Sequence, residues 1–183
     1  QVSTTLFRAA MNAGLKITER QNHSYRVSYY EPPVGMDATI YDPSPDFKFV
    51  NNYDHYIFIQ SHIDGTKITF DIYGTKDNRV ATVSDPTVYD YVDPPATINT
   101  ETDTLPAGQT QQAQKPHQGA SAKFEYKVVK GDQTLQDKIF TSVYVALPEK
   151  WLIGVGAAPA PAASTPEPTP TPTPAADTTT PTT

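Results

Sequence analysis

The chain has 183 residues, enough for one domain with length to spare. Its 14 basic and 20 acidic residues give a net charge of -6 with no basic block, which argues against nucleic acid or an anionic membrane surface as a partner. It has no cysteine, so disulfides and thiolate metal sites are excluded from this stretch, and no apolar run is long enough to span a bilayer.

Helical spacing is confined to residues 1–17, with the helix itself expected over 2–13. Ser3, Thr4 or Thr5 can cap it, because a hydroxyl can accept the free N–H groups of a first turn. Leu6, Ala9, Ala10 and Ala13 form one apolar stripe, and Gly14 stands where a left-handed residue ends a helix. Leu15 and Ile17 then pack as the chain leaves the helix.

Beyond it the period falls to two. Tyr25, Val27 and Tyr29 alternate with Ser24, Arg26 and Ser28, which predicts a strand. A turn with Pro32, Pro33 and Gly35 leads to a short strand over 37–41. Pro43, Ser44 and Pro45 break it. Phe47 and Phe49 alternate with Asp46 and Lys48, and Asn51 and Asn52 make a polar corner. A hairpin over 56–63 and 67–73 turns at Asp64-Gly65. Strands are also expected over 80–83 and 87–92.

Residues 93–120 are polar and rich in Pro, Thr, Gln and Ala, and are read as an exposed loop. Two further strands, 124–129 and 138–145, flank Lys130-Gly131-Asp132, and 151–155 can pair once more. From 157 to 183 the chain is almost wholly Ala, Pro and Thr, read as a disordered, stiff tail in extended polyproline conformation. The fold class is therefore α/β of the α+β kind: one N-terminal helix packed on a mainly antiparallel sheet over 1–92, the loop at 93–120, a β-hairpin extension over 121–156 and the tail.

Six phrases in order resemble the VanW family: QVSTTLFRAAMNAGLKITER, HSYRVSYY, GMDATIY, DFKFVNN, DHYIFIQSHIDG and KITFDIYGTKD, together spanning residues 1–77. The order and spacing of six phrases are more specific than any one of them. SVYVALP at 142–148 is a weaker match to a segment that often follows. Met36 stands where members usually carry arginine, and Tyr56 where they usually carry proline. The family motif places three glycines, a hydrophobic residue and a cysteine directly before the Gln that is here Gln1. The chain opens on that Gln rather than on Met, so it is read as the continuation of a longer protein. The resemblance implies an extracytoplasmic place in the cell envelope, on the wall or anchored to the outer face of the membrane. It implies peptidoglycan as a partner, and membrane contact only through a part preceding Gln1.

A cysteine at that helix start would have its thiolate stabilised by the helix dipole and free N–H groups. His23 at a strand entry and Asp37 at the start of the next strand supply the types a thiolate needs: an imidazole to move the proton and a carboxylate to orient it. That order matches the layout of papain-like and transglutaminase-like enzymes. Each residue has a plain structural alternative. His23 can be a hydrogen-bonding corner, and Asp37 can close the turn after Gly35. Ser3 and Thr4 lack a nearby base, and capping explains both. His55, His62 and His117 lack ligand spacing, so no metal is expected, and no cofactor motif is present. Tyr25, Tyr29, Tyr30 and Tyr41 can stack on sugars or form one packed sheet face. Two functions remain open: a cysteine-dependent peptidoglycan amide hydrolase or acyl transferase in the longer protein, or a non-catalytic wall-associated binding or structural module.

Overall fold

The computed structural model describes residues 1–157, and the Pro/Thr tail from 158 onward lies outside them. Helix α1 runs Val2–Asn12, with Gly14 beyond it in the left-handed conformation, φ +69°. The buried stripe is Thr4, Phe7, Ala10 and Met11, so the helix is rotated from the alanine face read in the sequence. The larger side chains decide the rotation, since burying Phe and Met removes far more apolar surface from water than burying alanines. The expected hydroxyl cap is absent: Gln1 is the N-cap residue and makes no side-chain cap bond.

Eleven strands follow among the described residues: β1 Lys16–Glu19, β2 Lys48–Val50, β3 Ile57–Asp64, β4 Lys67–Gly74, β5 Arg79–Val83, β6 Thr87–Val92, β7 Ile98–Pro106, β8 Thr110–Gln114, β9 Gly119–Lys130, β10 Gln133–Tyr144 and β11 Lys150–Gly156. The architecture is one helix with mostly antiparallel sheets. Strand β9 is the axis of the largest, pairing with β10 on one edge and with β5 and β6 on the other. Its buried face, Ala120, Ala122, Phe124, Tyr126 and Val128, alternates with the outward Lys123, Glu125 and Lys127. That face receives the helix. Phe7 lies 5.6 Å from the Phe140 ring centroid, 6.5 Å from Phe124 and 5.5 Å from Phe47.

Three expectations are corrected here. First, residues 1–92 do not hold their own core, because Phe124, Tyr126, Val128 and Phe140 of the later hairpin are central to it. Second, residues 24–29 form no strand. The segment carries a short 3-10 turn at Ser28–Tyr30, and the alternating pattern meets no partner strand to pair with. Third, residues 93–120 are not a loop: β7 and β8 lie on either side of β11, parallel and antiparallel to it respectively. Main-chain ladder bonds hold these polar strands, which composition alone does not register. The β3–β4 hairpin forms, but its two-residue turn is Gly65-Thr66 rather than Asp64-Gly65, since Asp64 is paired with Lys67.

Candidate functional site

Leaving β1, the chain places Arg20 against Thr141 and Ser142 of β10, and an isolated bridge of Gln21 with Thr39 sets two passing segments side by side. This brings His23 and Asp37 together. His23 Nδ1 lies 2.5 Å from Asp37 Oδ2, and the His23 main-chain N–H donates to the same oxygen at 2.7 Å. The other oxygen, Oδ1, accepts from the Tyr144 hydroxyl of β10 and, at 3.3 Å, from Arg20 Nη2.

Arg20 is the base of the site. Its side chain is 1% exposed, and all five guanidinium N–H groups have a partner. Nε donates to the Asp37 carbonyl at 2.5 Å, and Nη2 donates to the Gly35 carbonyl at 2.7 Å besides Asp37 Oδ1. Nη1 donates to Ser142 Oγ at 2.9 Å and to the Thr141 carbonyl at 3.2 Å. Burial pushes the guanidinium down, while the Asp37 charge pulls it back up. Burial likewise pushes Asp37 up. Hydrogen bonds from the His23 ring and main chain and from Tyr144, with the Arg20 charge, outweigh it and hold Asp37 below the ordinary carboxylate range. Burial and the neighbouring Asp37 raise the Tyr144 phenol, so it stays protonated and donates.

The tautomer of His23 follows from this network. An ionised Asp37 can only accept, so Nδ1 carries a proton, and in a neutral ring the lone pair is therefore on Nε2. Among the described residues Nε2 makes no hydrogen bond, and the His23 side chain is 24% exposed. Tyr30 covers one face of the ring at 4.9 Å, and Tyr29 stacks edge-on against Tyr30.

The first turn of α1 lies against the same place. Ser3 Oγ donates to the Ala38 carbonyl at 2.6 Å, and Thr4 Oγ1 exchanges two 3.1 Å bonds with the Ala38 main chain. Two of the three hydroxyls expected as caps therefore tie the helix start to the residue after Asp37. Arg8, one turn on, donates to the carbonyls of Tyr30 and Met36. Gly35 is required at the floor: φ is +90°, and a Cβ would stand 2.7 Å from that of Ala122.

The remaining candidates are dispersed. His62 faces Asp71 on the β3–β4 hairpin at 3.6 Å, His117 stacks on Tyr25, and His55 is exposed in the turn before β3. Tyr41 is 75% exposed. Asn51 makes the expected turn, its side-chain oxygen accepting from the Tyr53 N–H. Asn52 instead accepts from the buried side chain of Arg79. Arg20, Ser142 and Tyr144 were not singled out by sequence reasoning. Arg20 carries one signal, a lone cation directly after a short strand. Tyr144 carries only its place on the inward face of a strand more than a hundred residues from His23.

Residues 1–73 match the family model described as "VanW like protein". "Uncharacterized protein YoaR" of Bacillus subtilis (strain 168) is 40% identical over 75 residues, which are 41% of this chain and 24% of that protein. The chain thus spans about a quarter of the length of that relative. The IgA1 protease G5 domain structure covers 45% of this chain and 99% of its own at 15% identity, with a TM-score of 0.26.

Proposed function

We propose, taking residues 1–73 as VanW-like, that His23 and Asp37 are the proton-transfer pair of a cysteine-dependent enzyme of the cell envelope. In the longer protein it hydrolyses, or transfers the acyl group of, amide bonds in peptidoglycan. One observation carries this reading. Asp37 holds the Nδ1 side of His23, and Ala38, the residue after Asp37, is tied to Ser3 and Thr4 in the first turn of α1. A cysteine at that helix start, where the family motif has one, would sit where the dipole favours a thiolate.

The chemistry then follows. His23 Nε2 takes the thiol proton, and the sulfur attacks the amide carbonyl to give a tetrahedral intermediate. The imidazolium returns the proton to the amide nitrogen as the C–N bond breaks, leaving a thioester and a free amine. Water or a second amine resolves the thioester, with His23 again removing the attacking proton. Asp37 stays ionised throughout, orienting the ring and offsetting its transient charge.

The test uses the full-length protein with purified peptidoglycan and an activity-based thiol label. Wall cleavage or transfer is expected, and is expected to vanish in His23→Ala with the fold intact. Retained activity in that variant would show His23 to be a structural corner.

A second reading, a non-catalytic wall-associated module, is favoured by a different observation. The recess at Asp37, lined by Val27, Tyr30, Pro33 and Tyr144 among others, is only about 10 Å³. Meanwhile Phe58 and Tyr73 form an exposed cross-strand stack on the β3–β4 hairpin, 62% and 53% exposed, the type of surface on which sugar rings rest. Under this reading His23→Ala leaves peptidoglycan binding unchanged while Phe58→Ala weakens it.

A further inference from the structure

The family match ends at residue 73, yet the carboxylate at the heart of the site is completed by β10, some seventy residues later. The two oxygens of Asp37 have separate duties. Oδ2 receives both the ring and the main-chain N–H of His23. Oδ1 receives the Tyr144 hydroxyl and one N–H of Arg20. Without the Tyr144 hydroxyl only the 3.3 Å contact from Arg20 would hold Oδ1, and the carboxylate, whose terminal torsion is broad and two-fold, would be freer to turn Oδ2 off the imidazole.

We infer that Tyr144 is the positioning residue of the His23–Asp37 pair, its hydroxyl fixing Asp37 Oδ1 so that Oδ2 stays turned to Nδ1. The inference rests on the reading of His23 and Asp37 as a working pair, but its geometry does not depend on any reaction. Three features separate Tyr144 from a packing residue. It is 5% exposed on the same inward face as Phe140 and Ser142, where a phenylalanine would fill the space without needing a partner. Its hydroxyl, buried with it, is aimed at a carboxylate rather than at a main-chain carbonyl, unlike that of the buried Tyr126, which donates to the Leu15 carbonyl. Its neighbour Ser142, two residues back on the same face, serves the same cluster by accepting from Arg20 and donating to the Gly35 carbonyl at 3.0 Å. Strand β10 thus brings two hydroxyls to the site at the two-residue spacing of one strand face.

The charged and titratable groups around Asp37 are Arg20 past β1, His23, Tyr30 in the 3-10 turn, Arg8 of α1 and Tyr144 of β10. Of these, Tyr144 can lose its hydrogen bond while keeping its shape and without a change of charge. Tyr144→Phe removes one donor from the ionised carboxylate, so the protonation midpoint of Asp37 moves up. An ortho-fluorotyrosine placed at position 144 alone does the reverse, because the fluorinated phenol is the stronger donor, and the midpoint moves down.

The experiment follows the Asp37 carboxyl carbon by NMR across an acid titration of the 183-residue chain, in the native protein and both variants. Opposite shifts, up for Phe and down for the fluorinated residue, are expected, together with loss of the low-field His23 Nδ1–H signal in Tyr144→Phe. An unmoved midpoint in both variants would overturn the inference and leave Tyr144 a packing residue. If the Phe variant does not fold, the isosteric fluorinated protein decides alone. A second readout is the pH profile of wall activity in the full-length protein, where Tyr144→Phe moves the acid limb to higher pH and lowers kcat/KM about tenfold. Should the catalytic reading be wrong, the midpoints still shift while His23→Ala leaves activity unchanged, so the two failures are distinct.

Discussion

At the scale of the residue, the decisive group is a buried arginine rather than the histidine or the carboxylate that sequence reasoning found. Arg20 carries a full charge at 1% exposure, and Asp37 beside it is 5% exposed. Such a pair gains little net stability over apolar residues, but removing Arg20 leaves the Asp37 charge buried without its cation, at a cost of about 3–5 kcal/mol. Arg20→Ala is therefore expected to lower stability by that order in chemical denaturation. Arg20→Lys should lose most of the same amount, since an ammonium cannot reach five separate acceptors in a planar fork. A lysine variant as stable as the native protein would show that the fork geometry is dispensable. The pH dependence has a definite sign. Asp37 is held below its unfolded value, so its contribution is fully present above about pH 4 and is lost as the pH falls through its lower folded value. Denaturation midpoints compared between pH 7 and pH 3 should fall more steeply for the native protein than for Asp37→Asn, which starts lower and has no charge there to lose.

At the scale of the element, α1 is held by aromatic packing on one side and by polar ties at both ends. Phe7 is fully buried among Phe47, Phe124 and Phe140, and Phe7→Ala should cost about 3–5 kcal/mol. The C-terminal end is tied by Arg79, whose guanidinium lies 3.3 Å from the Tyr53 ring centroid and donates to the Gly14 carbonyl at 3.0 Å. Arg79 also grips Asp77 and holds its carboxyl well below the usual range. The sheet of β7, β11 and β8 is built differently. None of its side chains belongs to the buried core, so ladder bonds supply most of what holds it. Hydrogen exchange should separate the two: amides of β9 and β10 exchange slowest, and those of β7 and β8 faster by orders of magnitude. Uniform protection across all these strands would mean that the polar sheet unfolds only with the core.

At the scale of the whole molecule, the stretch that matches the family and the stretch that completes its core are different parts of the chain. Residues 1–92 alone lack Phe124, Tyr126, Val128, Phe140, Ser142 and Tyr144, which fill the core and close the site. A fragment ending at residue 92 is expected to give a collapsed NMR spectrum typical of an unfolded chain, whereas 1–157 gives a dispersed one; a folded 1–92 would refute this. Local patterns did determine much of the outcome. Apolar spacing and Gly14 set the helix and its end, and period-two alternation around turn residues marked the β3–β4 and β9–β10 hairpins. The residue types of His23 and Asp37 marked a candidate pair. These were legible because each depends on neighbours within a few positions. What only the tertiary structure decided is non-local. The helix face turned toward a sheet formed a hundred residues later, the polar stretch at 93–120 became strands through main-chain bonds that no side chain announces, and the alternation at 24–29 stayed unpaired. The working state of the candidate pair belongs to the same class. It is set by the donors that surround Asp37, and Tyr144 reaches it only because β10 lies across the floor of the site, a proximity determined by packing of the whole chain rather than by spacing along it.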